Sequence, residues 1–509
     1  MTTSHIRRTV ALVAALALLL AGCSSAADVA SGGGGTPSAP ATSGGPSPGA
    51  PTTPQHTSAS TTDANEPTPK ELASARSEPV EDPYYPATSN PEVDSLHYNL
   101  ELSWSGSKLT GATTLLFRVA EPTETVRLDL SSKLSVTKVR LDGGRSIDFS
   151  QADDGLLMQT GALSEDTRHT LAIDYSGVPG PTPAPSLRPD MTEGLGWVVG
   201  ADGSVYTFQE PYGAFTWYPV NDHPSDKALY DAQITVPNGD AAVFNGVLEA
   251  KEPGESSTTW SWHMEKPAAS YLTTIAIGPY KQHKVTMPGG TPGSYWLMPR
   301  DRHLLPILKR KGRNAFRWLE KRAGDYPFAT FGAVVVGGES AMETQTMITM
   351  SRGVVTSPTA DFAHEMSHQW FGDAVTPTDW QGLWLNEGWA MYMQQWYEEQ
   401  SPTVGSYGGG MSSWWRLDNM ARQRSGPPGD YDPQTFGDNN VYLGPAMMLD
   451  RIRRKIGDGP FRRLVRRWPA AHEYGNVDRA MFESWLDRET GRDFGPLMDR
   501  WLDSNHTPR

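Results

Sequence analysis

One stretch constrains this chain more than any other: His364-Glu365-Met366-Ser367-His368. On a helix two imidazoles four residues apart lie one turn apart on the same face, so both can reach one ion while Glu365 projects beside them. Thr359 is placed to cap that helix, which is expected to run to Phe371 and stop at Gly372. A zinc site needs a third protein ligand and an open position for water. Glu387 offers that carboxylate from the next expected helix, LWLNEGWAMYMQQWYEE, with eighteen residues between it and His368. The spacing predicts one Zn2+ per chain on His364, His368 and Glu387.

The rest of the chain must build a scaffold that delivers those two helices. From about Pro91 to Tyr280, stretches such as SLHYNLELSW, ATTLLFRV, HTLAIDYSG and ALYDAQITVP alternate or run apolar between Gly, Asp, Pro and Ser turns, the pattern of strands. After about Trp296 the spacing turns helical, with Leu304, Leu305, Ile307 and Leu308 leading into a segment that continues through Ala315 and Leu319. A short strand, GAVVVGG, follows at 332–338, and the remainder reads as helices, one of them capped by Asp478. The expected fold is multidomain: an all-β, β-sandwich-like domain over 86–285, then a mainly helical α+β domain over 286–509.

The first 22 residues carry His5, Arg7 and Arg8 ahead of an apolar run from Val10 to Ala21. That run is too short to span a membrane as a helix and is built like a secretory signal. It closes on Leu20-Ala21-Gly22-Cys23, which resembles the lipobox of bacterial lipoproteins, and Cys23 is the single cysteine. The expectation is an exported protein, anchored at the outer face of the bacterial cell membrane by a lipid on Cys23, with no internal disulfide. Residues 23–85 are expected to form a tether of Ser, Gly, Pro and Thr, which has too little apolar surface to fold and a reach of about 40 Å. The net charge of −14 argues against nucleic acid as a partner. The basic run from Arg451 to Arg467 reads as a solvated helical face.

HEMSHQWFG, the spacing to Glu387 and LWLNEGWA together resemble the aminopeptidase N family of gluzincin metallopeptidases. Three further segments carry the resemblance over about residues 95–505. GESAMET (338–344) is similar to the family's Gly-Ala-Met-Glu-Asn motif, QEPYGAFTWYPVNDHPSDKA (209–228) to its site-facing β-domain segment, and VYLGPAMMLDRIRRKIGD (441–458) to its tyrosine helix. The sequence departs from the family where Ser340 replaces a glycine and Thr344 an asparagine, where Gly444-Pro445 replaces Lys-Gly, and where the β-domain segment lacks an arginine. Longer members carry a further C-terminal helical domain, so access to the site is expected to be more open here.

The resemblance implies a thermolysin-like catalytic domain and a zinc-dependent aminopeptidase acting on peptides with a free N-terminus. Water in zinc's fourth position becomes acidic near neutral pH. Glu365 takes its proton and later delivers it to the leaving amine, while the Tyr442 hydroxyl, by resemblance, stabilises charge on the carbonyl oxygen. Glu343 and Glu210 would pair with the substrate ammonium, and Ala341 and Met342 would offer backbone groups to its main chain. Two other readings compete, a zinc endopeptidase with an open cleft and a surface peptide-binding lipoprotein on an inactive scaffold. The intact ligands, base and tyrosine weigh against the last.

Overall fold

The alternation between Pro91 and Tyr280 builds three sheets. The largest has eight strands in the order Val247–Pro253, Ser257–Ala269, Lys227–Pro237, Val93–Trp104, Leu109–Val119, Arg168–Gly177, Leu134–Leu141 and Arg145–Ser146. Its neighbours are antiparallel except Val93–Trp104 and Lys227–Pro237, which run parallel with His97 opposite Leu229. A parallel pair needs a crossover, and the whole intervening chain supplies it. Leu100, Leu115 and Ile173 of this sheet join Leu128 and Met158 of a three-stranded sheet and Val205 and Ile277 of a four-stranded one in a single buried cluster. The β-sandwich-like expectation describes this half well. The computed structural model describes residues 67–401 and 404–509; the expected signal, Cys23 and most of the expected tether lie outside the described residues.

Residues 67–85, expected to belong to the tether, are folded. Thr68 and Glu71 close a capping box on the helix Pro69–Ser74. Leu72 and Ala75 then pack on Leu96 and Leu229. Arg118 donates to the Ser77 carbonyl at 2.8 Å and to Asp94 at 2.7 Å, and Tyr85 is buried. Few apolar residues suffice in this stretch because the finished sheet provides the surface they cover.

The second half starts at Lys281, so the expected boundary at 285/286 cuts its first strand. Five strands run in the order Lys281–Thr286, Pro292–Leu297, Phe331–Val336, Met347–Ser351 and Ala341–Met342. The first of these, KQHKVT, is a charged and half-exposed edge that carries no apolar signal. Ala341–Met342 forms the opposite edge, antiparallel to Met347–Ser351, with Ala341 opposite Met350. Helix Leu305–Ala323 lays Leu308, Gly312, Ala315, Phe316, Leu319 and Ala323 on one buried stripe. A second cluster, including Phe316, Val335, Trp389, Met448 and Trp468, forms the core of this mainly helical half. Among the described residues no helix is long and apolar enough to cross a membrane.

Candidate active site

Three helices converge at the site. The histidine helix spans Asp361–His368 with Ala360 at its N-cap; the Thr359 hydroxyl donates instead to the Asp361 carboxylate at 2.6 Å. It ends at His368 rather than Phe371 because the Phe371 carbonyl turns back to accept from His368 Nδ1 at 3.1 Å. Carbonyls in a continuing helix point toward its C-terminus, so this bond requires the chain to leave the helix first. The bond also fixes the tautomer and leaves Nε2 free as a ligand. The glutamate helix, Leu383–Glu399, is buried at every residue from Leu383 to Glu398. The tyrosine helix, Asn439–Ile456, is capped by Asp438.

The last two helices touch beside the site. A Cβ on Gly388 would lie 2.4 Å from Pro445 Cβ, and one on Gly444 would lie 2.2 Å from Arg422 Nη2. The Gly444-Pro445 departure is thus a packing solution. Proline fills the space over Gly388, next to Glu387, and glycine clears the buried Asp418–Arg422 pair. The substitutions at Thr344 and Ser340 also have partners. The Thr344 hydroxyl donates to the Met347 carbonyl and lies 3.0 Å from Thr349 Oγ1, and Ser340 Oγ accepts from Arg188 Nη2 at 3.3 Å.

His364 Nε2 and His368 Nε2 lie 3.1 Å and 3.4 Å from the same Glu387 oxygen. Tetrahedral zinc with bonds near 2.0–2.1 Å separates its ligand atoms by about 3.3–3.4 Å. The two nitrogens and the oxygen are buried and have the spacing and the chemistry for that ion. Glu365 stands outside this trio: a carboxylate oxygen of Glu365, one of Glu343 and a nitrogen of His368 lie within 4.8 Å of one another. The Tyr442 ring stacks on His364 with centroids 6.0 Å apart.

The charges are unbalanced toward the negative. Burial, with the charges of Glu343 and Glu387, pushes the Glu210 carboxyl well up, and burial pushes Glu343 up against the pull of His368. Burial also raises Glu365, opposed by His368 and reinforced by Glu343 and Glu387. Glu387 goes the other way: although buried, it is held below the usual carboxylate range by His368 and His364. His368, although buried, is held above its usual value by Glu343 and Glu387. Four carboxylates around two imidazoles therefore call for cations. Glu210 Oε1 and Glu343 Oε1 are buried without a hydrogen-bond partner among the described residues, which suits an incoming ammonium.

Backbone anchors hold these groups from outside the site. Gln369 Nε2 donates to the Glu343 carbonyl at 2.8 Å and to Asp373 at 2.6 Å. Gln209 accepts from Trp217 and donates to the Ser270 and Thr273 carbonyls, which pins the segment entering Glu210. Ala341 and Met342 occupy the edge strand, where one side of the backbone is open to a further strand. The structure adds one residue that sequence reasoning missed: Arg188 Nη1 donates to the Tyr442 hydroxyl at 3.0 Å. It comes from an irregular segment of the β half, 254 residues away in the chain, and no periodicity or motif marks it.

Known proteins resemble this chain in sequence and in fold. The Peptidase M1 N-terminal domain model matches residues 94–272 and the Peptidase family M1 domain model residues 316–501. Aminopeptidase N of Streptomyces lividans is 24% identical over 445 residues, covering 81% of this chain and 50% of that protein, so the chain spans about half the length of that relative. Aminopeptidase N of Acetobacter pasteurianus is 28% identical over 321 residues, 58% of this chain and 87% of that protein. The M1 zinc metallopeptidase of Deinococcus radiodurans has the same fold, with a TM-score of 0.75 at 23% identity over 85% of this chain and 98% of that one; a mutant of it has been solved with a Tyr-Ser-Ala substrate. Two family models in the right order, over the sheets and helices that bring His364, His368 and Glu387 together, establish that the chain belongs to peptidase family M1.

Proposed function

We propose that this protein is a zinc-dependent aminopeptidase that removes the first residue of peptides. The observation that carries the reading is the closeness of Glu343 to Glu365, whose carboxylate oxygens lie within 4.8 Å. In the first residue of a peptide, the α-nitrogen and the scissile carbonyl carbon are separated by one Cα, about 2.5 Å apart. A carboxylate that reads the ammonium and a base that serves the carbonyl must then be near neighbours. An endopeptidase has to keep that place clear for chain running toward the substrate's N-terminus, whereas Glu343 and Glu210 fill it with buried carboxylates. The aminopeptidase names of the relatives, and the tripeptide on the Deinococcus mutant, support the same reading.

When bound on His364, His368 and Glu387, zinc would polarise the scissile carbonyl and acidify a water toward neutral pH. Glu365 accepts the proton of the attacking water and hands it to the departing amine. Tyr442 donates a hydrogen bond to the oxygen on which charge develops. Glu343 and Glu210 hold the ammonium, and the Ala341–Met342 edge pairs with the substrate main chain in the manner of an added strand.

The test is a comparison of aminoacyl amides with their N-acetyl counterparts. Charge-assisted hydrogen bonds to the ammonium contribute about 1.5–3 kcal/mol each, so the free amines should be cleaved at least about a hundredfold better in kcat/KM, and Glu343→Ala should erase most of that advantage. Equal rates, or internal cleavage of a long blocked peptide, would assign the site to an endopeptidase. Export and a lipid on Cys23 are proposed from the sequence alone. With Cys23→Ser the protein should stay uncleaved by the lipoprotein route or be shed into the soluble fraction, and a wild type already fully soluble after export would refute the anchor.

A further inference from the structure

Arg188 lies in the segment between strands Arg168–Gly177 and Gly196–Val199, and that segment is tied down at both ends. Thr182 and Leu195 exchange backbone hydrogen bonds across its base at 2.8 and 2.9 Å. Its tip docks on the approach to the tyrosine helix: the Phe436 amide donates to the Pro185 carbonyl at 2.8 Å, and Ser186 Oγ donates to the Phe436 carbonyl at 2.7 Å. Arg188 follows, with its guanidinium gripped by Asp190 through Nε at 3.1 Å and Nη2 at 2.6 Å. The remaining edge reaches into the site, Nη1 to the Tyr442 hydroxyl at 3.0 Å and Nη2 to Ser340 Oγ at 3.3 Å. Gly437 makes room for it, at φ 71° and with its missing Cβ 3.2 Å from Nη1.

A guanidinium has donors only, and a phenol has one O–H donor and an oxygen that accepts. With Arg188 donating to it, the Tyr442 oxygen is an acceptor on that side, and its single proton is left to point elsewhere. We infer that Arg188 is a positioning residue for this reaction: it occupies the acceptor side of the Tyr442 hydroxyl and so aims its proton at the reacting carbonyl oxygen. A cation on the acceptor side also polarises the O–H and strengthens its donation. Ser340, which departs from the family glycine, belongs to the same assembly because its hydroxyl is the other acceptor of Arg188 Nη2. Lysine cannot replace this residue, since an ammonium has no fork to grip Asp190 while it reaches Tyr442. The inference rests on the aminopeptidase reading proposed above.

The experiment is a double-mutant cycle on the zinc-loaded full chain, with Arg188→Ala, Tyr442→Phe and the pair, read as kcat and KM on a free-amine aminoacyl amide, zinc content, and affinity for a phosphinic peptide that mimics the tetrahedral state. Arg188→Ala should lower kcat roughly 10²-fold, the scale of a lost oxyanion donor, with KM within about threefold and one zinc per chain retained. In the Tyr442→Phe background the same change should cost less than about threefold. Phosphinic-peptide affinity should weaken in parallel with kcat/KM, while binding of the free product amino acid stays unchanged. Arg188→Lys should recover less than about a tenth of the loss. If Arg188→Ala does not fold, Asp190→Asn loosens the grip without emptying the site and should give a smaller kcat loss that also vanishes in Tyr442→Phe. A full loss in both backgrounds, or a loss confined to KM, would make Arg188 a structural or subsite residue and overturn the inference. A wild type that cleaves no free-amine substrate would overturn the aminopeptidase reading and, with it, this role.

Discussion

Glu365 is a sequence neighbour of His364, yet in space its carboxylate groups with His368 and Glu343. A base beside His368 yet outside the ligand trio is what the i, i+1, i+4 spacing on a helix allows, and it makes a clean prediction possible. Glu365→Gln keeps the shape and removes only the ability to carry a proton. It should retain about one zinc per chain, measured by elemental analysis, and lose about 10³-fold or more in kcat/KM. Turnover within tenfold of wild type would sink the assigned role. His364→Ala or His368→Ala should instead lose metal and activity together, because two protein ligands rarely hold zinc tightly. The burial that pushes Glu365 up also makes its unpaired carboxylate costly, so an adjacent cation is needed to keep it ready as a base.

At the scale of elements, what could be read from the sequence was set by how local the cause is. The spacing His364/His368 and the helical spacing of Leu308, Ala315 and Leu319 follow from one helix each, and the structure holds both. Asp478 caps its helix as expected, accepting from the Met481 amide at 2.7 Å. The basic run also stays a solvated face, with Arg451, Arg454, Arg462, Arg463, Arg466 and Arg467 all exposed. Local reasoning failed where a distant partner decides. The histidine helix stops early because the Phe371 carbonyl is needed under the His368 ring. Pro445 sits inside a helix, normally a costly place, where it packs against Gly388 of another helix. Arg188 owes its position to Pro185, Ser186 and Asp190 docking a whole segment on Phe436 and Tyr442, and nothing in residues 178–195 read alone shows that surface. The expected tether failed for the same reason at residues 67–85, which fold only against a sheet made elsewhere in the chain.

At the scale of the whole molecule, the two halves are joined through groups that lie outside the ligand trio, and one of them titrates. Lys227 opens a strand of the eight-stranded sheet, is 1% exposed, and donates to the Asp373 carbonyl and to Thr376 Oγ1, both at 2.9 Å, in the turn that follows the histidine helix. Burial pushes its ammonium down to about 7, opposed by the charge of Asp373. An unfolded lysine titrates near 10.4. Below pH 7 both states carry the proton and the folded state bears the full cost of a buried charge. Between about 7 and 10.4 the unfolded chain binds a proton that the folded one does not, so this group makes stability rise with pH across that window. Lys227→Met removes the titration and keeps most of the volume. With zinc saturating in both proteins, the difference in Tm, wild type minus Lys227→Met, should become more favourable to wild type by at least about 2 °C between pH 7 and pH 9.5. A difference that stays flat over that range would mean that the two oxygen acceptors keep Lys227 protonated, and that the junction is held by a permanent buried charge rather than by one that titrates.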